Sequence, residues 1–101
     1  DAMLDLTDKI IIGKCSVIAG CIYTHQDAGS LLFDTPTVRR FPRKVAPVII
    51  GNNVYIGAGS IILCGVTIGD NSVVASGSVV IDNIPANTLV AGVPAKIKKS
   101  F

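Results

Sequence analysis

Aliphatic residues recur at every sixth position through the second half of the chain. Stepping by six from the middle of the sequence reaches Ile50, Ile56, Ile62, Ile68, Val74 and Val80, all of them β-branched. A six-residue period is a multiple of the two-residue strand period, so one side chain in each repeat can face inward, which a helix of 3.6 residues per turn does not allow. The pattern predicts short strands separated by corners.

Three such strands close a triangular coil of about 18 residues, and each coil hydrogen-bonds to the next at about 4.8 Å. The stacked pairs expected one coil apart are Ile50 with Ile68, Ile56 with Val74, and Ile62 with Val80. Glycine and asparagine at the predicted corners, as in 51–53 and 69–71, supply the left-handed or tight turns that β-branched residues disfavour. The chain is therefore predicted to be all-β, a parallel β-helix forming a single domain over 1–101.

The same frame begins earlier, at Leu6, Ile12 and Ile18, and reaches Thr24 where a fourth aliphatic residue is expected. Regularity then stops over 26–44, and a long excursion from a rigid scaffold is typical of a functional loop. We therefore predict an inserted loop over 26–44 that covers a working site. A second irregularity at 82–87 precedes the last aliphatic positions and a short basic tail at 94–101.

Composition and charge restrict the possible partners. The formal net charge of +2 is too small to favour nucleic acid or an anionic membrane as the main partner. No apolar stretch of membrane-spanning length and no signal-like segment is present, so we expect a cytoplasmic protein without a membrane span. The first residues, 1–5, offer no cap, so the chain is either a fragment or has a partner over that end.

The cysteines and the histidine argue against a metal site. The three cysteines, Cys15, Cys21 and Cys64, are odd in number and lack a CxxC motif, so neither a disulfide framework nor a zinc knuckle is indicated. One histidine excludes a three-histidine zinc site. We expect small buried or half-buried thiols and no required metal.

From Ile12 to Ile97 the chain resembles the hexapeptide-repeat acyltransferases, which include maltose, galactoside, xenobiotic and polysaccharide O-acetyltransferases. The segments that carry the resemblance are VIIGNNVYIG (48–57), GVTIGDN (65–71), GSVV (77–80) and AGVPAK (91–96). The resemblance implies a left-handed coil, acetyl-CoA as acyl donor, a small-molecule acceptor such as a sugar, and a homotrimer with its sites in clefts between subunits. The hand comes from the resemblance alone, because the period does not determine it.

The only histidine, His25, lies in a Tyr-Thr-His segment where the repeats stop. Acyl transfer from a thioester to a hydroxyl or amine needs a base that works near neutral pH, and an imidazole pKa of about 6.5 suits that task. The similarity of this segment to the catalytic segment of the family implies that His25 is the general base. Asp27 either orients the imidazolium or is a solvated loop carboxylate.

The same resemblance places six residues on coenzyme A: Gly57, Ala58, Ser76, Gly77, Lys96 and Lys99. The first two would present a backbone N–H to the thioester oxygen, the next two would line the pantetheine groove, and the lysines would contact phosphates. Plain coil corners and a solubilising tail are the alternatives. Asp82 stands where many members have a basic residue, which would weaken one phosphate contact.

The remaining candidates concern the acceptor. Tyr55 occupies a place often held by Trp, where its ring would either wall the acceptor or cofactor cleft or pack on a flat face. Arg39, Arg40 and Arg43 would either line an acceptor pocket or keep the loop soluble. The sequence predicts an acetyl-CoA-dependent acyltransferase, and the alternative is a non-catalytic β-helix subunit that acts as a trimeric scaffold.

Overall fold

The computed structural model describes residues 2–26 and 43–101, together with Pro36 and Arg39, which are helical and exposed. Its strands are β1 (Met3–Leu4), β2 (Ile10–Ile12), β3 (Val17–Ile18), β4 (Cys21–Ile22), β5 (His25–Gln26), β6 (Lys44–Val45), β7 (Val48–Ile50), β8 (Tyr55–Ile56), β9 (Ile61–Ile62), β10 (Thr67–Ile68), β11 (Val73–Val74), β12 (Val79–Val80), β13 (Thr88–Gly92) and β14 (Ala95–Ser100). Most contain only two or three residues, as the six-residue repeat predicts.

The strands stack into three parallel sheets, one for each face of a triangular coil. Face A contains β2, β7 and β10, face B contains β3, β8, β11 and β13, and face C contains β1, β4, β9 and β12. The chain passes from A to B to C and back to A, through corners that we call A–B, B–C and C–A. All three predicted stacked pairs, 50 with 68, 56 with 74 and 62 with 80, are confirmed.

Inward-facing aliphatic ladders form the core. The buried cluster consists of Ile22, Val48, Ile50, Val54, Ile56, Ile62, Val66, Ile68, Val74, Val80, Ile84 and Val90. Burial of each such side chain contributes about 1.5–3 kcal/mol, so the repeat itself supplies the stability of the coil. Hydroxyls that enter the interior are bonded to backbone carbonyls, as Ser60 Oγ is to Ala75 O at 2.9 Å.

The first coil departs from the predicted frame. Positions 12 and 18 stack as expected, but on face C it is Leu4 that pairs with Ile22, and Leu6 is 71% exposed. The prediction that Leu6 continues the ladder is therefore wrong. The physical reason is the spacing of the first coil: eight positions instead of six separate Leu4 from Ile12, and four instead of six separate Ile18 from Ile22.

The C-terminal segment closes the coil as a hairpin. Most of the basic tail predicted at 94–101 is strand β14, which pairs antiparallel with β13. The irregularity at 82–87 shortens the last coil, because Ile84 bridges to Ile68 sixteen positions away instead of eighteen.

The A–B corners carry a column of residues with left-handed backbone. Asn53, Asn71 and Asn87 have φ values of 56°, 61° and 58°. Asn53 Nδ2 donates to Asn71 Oδ1 at 3.3 Å, and Asn71 Nδ2 donates to Asn87 Oδ1 at 3.1 Å. Cys15, with φ 60°, holds the same position in the first coil but has no amide to extend the column. Asparagine adopts this conformation at lower cost than cysteine.

Replacing Cys15 with asparagine is therefore expected to stabilise the protein by about 1 kcal/mol, from lower backbone strain and one added amide hydrogen bond. Urea unfolding at matched protein concentration measures the effect. Cys15→Ala, which removes the thiol without adding an amide, is the control and should show no comparable gain. An unchanged unfolding midpoint in Cys15→Asn would contradict the interpretation.

Candidate functional site

His25 lies at the C–A corner, where a short ribbon leaves the coil. Strand β5 pairs antiparallel with β6, with His25 opposite Val45 and Gln26 opposite Lys44. This ribbon forms the base of the predicted loop over 26–44, of which residues 27–35, 37–38 and 40–42 lie outside the described residues. The His25 side chain is 36% exposed. The ribbon therefore presents the imidazole at the surface and outside the aliphatic core.

A carboxylate that the sequence analysis did not identify holds the imidazole. Nδ1 of His25 lies 2.6 Å from Oδ2 of Asp5, whose side chain is 19% exposed. The hydrogen bond from His25 holds the pKa of Asp5 well below its usual range, which outweighs the opposing effect of burial. Because an ionised carboxylate only accepts hydrogen bonds, Nδ1 carries a proton, and in the neutral imidazole the lone pair is then on Nε2. The orienting group predicted at Asp27 lies outside the described residues.

Two threonines fix the carboxylate of Asp5. Thr7 Oγ1 donates to Asp5 Oδ1 at 2.9 Å and lies 3.1 Å from His25 Nδ1. The backbone N–H of Thr24 donates to Asp5 Oδ2 at 3.1 Å. Thr7 stands 18 positions before His25, which is one coil, so applying the coil period to the first residues would have placed this segment beside the histidine.

The lowered pKa of Asp5 predicts a loss of stability in acid. Below pH of about 4 the unfolded chain takes up a proton on this residue while the folded chain does not, so folding becomes less favourable as pH falls. We expect the urea midpoint to fall more between pH of about 5.5 and 3 in the wild type than in Asp5→Asn. Equal losses in the two proteins would show that the contact between Asp5 and His25 does not stabilise the fold.

The residues predicted to line the thioester and the pantetheine lie together at the B–C corner: Gly57, Ala58, Ser76 and Gly77. Ala58 and Ser76 are exposed residues, and within residues 43–101 their backbone N–H groups have no hydrogen-bond acceptor. The N–H of Gly57, in contrast, donates to Val74 O at 2.9 Å. The two free donors are one coil apart, about 4.8 Å, and suit carbonyl oxygens of an extended ligand that runs parallel to the coil axis.

Backbone geometry by itself favours glycine at positions 57 and 77 of this corner. A Cβ on Gly57 would lie 2.7 Å from the backbone nitrogen of Ser76, so a larger residue would push the coils apart. Gly77 has φ 74°, a conformation that side chains disfavour, although the space beside it is open. Of the predicted oxyanion pair, Ala58 is therefore the free donor and Gly57 permits close packing.

The two predicted phosphate-binding lysines occupy different surroundings. A pocket of about 410 Å³ at the C-terminal end of the coil is lined by Lys96, Asp82 and Asn83 over an apolar floor that includes Ile84. Lys96 pairs with Ala91, which lies next to the B–C corner. Lys99 lies elsewhere, with Nζ 6.0 Å from the ring centroid of Phe101. A carboxylate thus shares the pocket with Lys96, at the position where the family often has a basic residue.

The candidates for acceptor binding are exposed where the structure describes them. Tyr55 is 45% exposed on the outer surface of face B, between Val17 and Val73 in the sheet. Arg39 and Arg43 are exposed, and Arg40 lies outside the described residues. Tyr55 lies on face B, whereas His25 is at the C–A corner, so the two side chains are not neighbours within one chain.

The structure bears on thiols, metal sites and membrane spans only within the residues that it describes. Cys15 is exposed, Cys21 half-buried and Cys64 buried, all as free thiols. In residues 2–26 and 43–101, no group of three His, Cys, Asp or Glu side chains is arranged to hold a metal ion. None of the helical structure in the described part of the chain is long and apolar enough to span a membrane.

One chain does not bring His25 and Ala58 together. His25 is at the C–A corner and Ala58 at the B–C corner, so the whole of face C, roughly 15 Å of backbone, lies between them. Lys96 lies nearer the corner of Ala58, toward the C-terminal end. The predicted base and the predicted cofactor residues therefore form two separate groups on the surface of the monomer.

Known proteins share both the repeats and the coil. Residues 47–82 match the family described as bacterial transferase hexapeptide (six repeats). A 2,3,4,5-tetrahydropyridine-2,6-dicarboxylate N-acetyltransferase of Lacticaseibacillus paracasei is 62% identical over 58 residues, which are 57% of this chain and 25% of the relative. The chain thus spans about a quarter of that relative's length.

Two solved structures are similar over nearly the whole chain. A hexapeptide-repeat-containing acetyltransferase from Vibrio cholerae O1 biovar eltor, complexed with acetyl coenzyme A, has a TM-score of 0.83 and 36% identity over 98% of this chain and 53% of its own. A galactoside acetyltransferase in complex with coenzyme A has a TM-score of 0.83 and 31% identity, over 98% of this chain and 48% of its own. Residues 47–82 therefore carry hexapeptide repeats, and over nearly its whole length the chain has the fold of hexapeptide-repeat acetyltransferases, a left-handed parallel β-helix.

Proposed function

We propose that this protein transfers an acetyl group from acetyl-CoA to a hydroxyl or amine of a small-molecule acceptor. The observation that carries the proposal is the pair formed by Asp5 and His25, in which Nδ1 contacts the carboxylate, the side chain of His25 is 36% exposed, and Nε2 has no hydrogen-bond partner among the described residues. This arrangement suits a general base that takes the proton of an attacking acceptor. The similar solved proteins bound to acetyl coenzyme A and to coenzyme A support the choice of donor.

Each group then has one role in the transfer. The acceptor oxygen or nitrogen forms a bond to the thioester carbon while its proton passes to Nε2 of His25, and Asp5 stabilises the imidazolium. The free N–H of Ala58 donates to the carbonyl oxygen as negative charge develops on it. When the C–S bond breaks, the leaving thiolate takes the proton from the imidazolium, which returns His25 to its starting state.

A homotrimer would assemble the two halves of this site. Cyclic symmetry about an axis parallel to the coil keeps all subunits at the same level, so the C–A corner of one can face the B–C corner of its neighbour. Ala58 follows His25 by two faces of the coil, which is about 3 Å along the axis. A base and an oxyanion donor at nearly the same level can act on one thioester. We therefore assign the site to the cleft between two subunits.

The donor would run down the B–C corner toward the C-terminal end. Ser76 lies one coil beyond Ala58 and supplies the second free N–H, with Gly77 leaving space beside it. Lys96 follows in the same direction and would contact a phosphate. Lys99 pairs with position 89, farther along face B, so it contributes through its charge at longer range. Asp82 in the same pocket as Lys96 lowers the positive charge there.

The acceptor class rests on similarity of fold. The galactoside acetyltransferase is similar over 98% of this chain, which favours a sugar hydroxyl. The N-acetyltransferase matches 57% of the chain, so amines remain the second class to be tested. Tyr55 and the exposed arginines Arg39 and Arg43 are the residues that a neighbouring subunit or the loop would bring to this acceptor.

Thiol release from acetyl-CoA tests the proposal. Purified protein is incubated with acetyl-CoA and a panel of neutral sugars, amino sugars and amino acids, and free thiol is measured over time. Acceptor-dependent release is the expected result. If no acceptor raises the rate and calorimetry detects no binding of coenzyme A, the enzymatic function is wrong and the protein is a non-catalytic β-helix scaffold.

A further inference from the structure

Thr24 is a polar residue inside the aliphatic core. It is fully buried, at 0% exposure, two positions beyond the ladder residue Ile22. Its Oγ1 donates to the backbone oxygen of Asp5 at 3.0 Å and accepts from the backbone N–H of Asp8 at 2.8 Å. The same Oγ1 lies 3.2 Å from Asp5 Oδ2. One buried hydroxyl therefore fixes both ends of the segment that carries the Asp5 carboxylate.

Strand pairing holds the backbone of this segment, since the backbone N–H of Asp5 donates to Ile22 O at 2.9 Å. Met3 and Leu4, which precede Asp5, are 44% and 42% exposed, so side-chain packing contributes little to the position of the carboxylate. Besides His25, the groups that hydrogen-bond to the carboxylate itself come from Thr7 and Thr24. Thr7 is exposed and its hydroxyl competes with water, whereas the contacts of Thr24 are shielded and therefore stronger.

The other buried hydroxyls of the described coil form hydrogen bonds only with backbone atoms. Ser60 and Ser78 donate to Ala75 O at 2.9 Å and 2.7 Å, and Thr88 donates to Ala86 O at 3.0 Å. Thr24 differs because its hydroxyl and its N–H both reach a side-chain carboxylate that in turn binds His25. Burying a hydroxyl costs free energy unless the group is hydrogen-bonded. The Thr24 hydroxyl makes hydrogen bonds to the residue that holds His25.

We propose that Thr24 is a positioning residue, whose hydroxyl sets the orientation of Asp5 and thereby keeps the proton of His25 on Nδ1 and the lone pair on Nε2. This inference rests on the proposed function, because the free Nε2 matters only if His25 acts as a base. The tautomer itself is a property of the resting protein. It can therefore be measured whether or not the protein shows activity.

The experiment uses the fact that the chain has one histidine. In protein labelled with ¹⁵N-histidine, the wild type is expected to show Nδ1 protonated and Nε2 unprotonated. Thr24→Val keeps the shape and removes the hydroxyl, so a shift toward the Nε2-protonated tautomer is expected. Acetyl-CoA turnover should fall about 10- to 100-fold in kcat, with KM for acetyl-CoA unchanged. Thr24→Ser keeps a hydroxyl and should restore both.

Thr88→Val is the matched control, since it removes an equally buried threonine hydroxyl, at 2% exposure, far from His25. It should leave the tautomer and kcat unchanged. If Thr24→Val has the wild-type tautomer, Thr24 only supports the backbone and the proposal is wrong. If Thr24→Val fails to fold by circular dichroism, Thr24→Ala is compared with Thr24→Ser by the same spectrum. A wild type that releases no thiol would contradict the proposed function and leave the tautomer comparison valid.

Discussion

Replacing His25 with alanine is expected to lower kcat for acetyl transfer by about 10²- to 10⁴-fold, the usual contribution of a general base. The fold should persist, because His25 lies on the ribbon of β5 and β6 and is absent from the buried core cluster. KM for acetyl-CoA should change little, since the contacts proposed for the donor are at the B–C corner. Thiol release with the best acceptor of the panel measures both constants.

Gln26→Ala provides the control for this change. Gln26 is exposed and belongs to the same strand as His25, so its truncation perturbs the ribbon without removing the imidazole. We expect kcat within about twofold of wild type for Gln26→Ala. A comparably small effect for His25→Ala would remove the histidine from the mechanism.

The second half of the fold could be predicted from the sequence because its signal is repeated. From Ile50 to Val80 every coil has the same length, so one period fixes the strands, the corners and the stacking partners together. The first coil could not be predicted in this way. Eight positions instead of six separate Leu4 from Ile12, so a fixed period of six selects Leu6 on face C where the structure has Leu4.

A residue of the candidate site could be predicted only where both its residue type and its place in the repeat indicated a function. His25 is the single histidine and stands where the repeats stop, which is visible in the sequence. Asp5 was missed because the first residues were treated as an open end, although Thr7 stands one coil before His25. The free N–H of Ala58 depends on backbone hydrogen bonds that no residue type reveals. The proposed meeting of the two corners depends on the symmetry of an oligomer, which the sequence of one chain does not reveal.

Replacing Ala58 with proline is expected to lower kcat about 10²- to 10³-fold, because it deletes the one N–H assigned to the oxyanion. Ser60 N donates to Gly57 O at 3.2 Å and Gly59 has φ 73°, which define a type II turn with Ala58 at its second position. Proline is favoured at that position, so the turn should be preserved. Ala58→Ser keeps the N–H and is the control, with kcat expected near the wild-type value.

Mixing the two inactive proteins tests whether the site lies between subunits. Subunits with His25→Ala retain Ala58, and subunits with Ala58→Pro retain His25. If each site takes the base from one subunit and the oxyanion donor from its neighbour, random reassembly of equal amounts should restore about a quarter of wild-type kcat. If both groups acted within one chain, every site would lack one of them and mixing would restore nothing. Refolding each variant alone under the same conditions separates recovery by exchange of subunits from any residual activity.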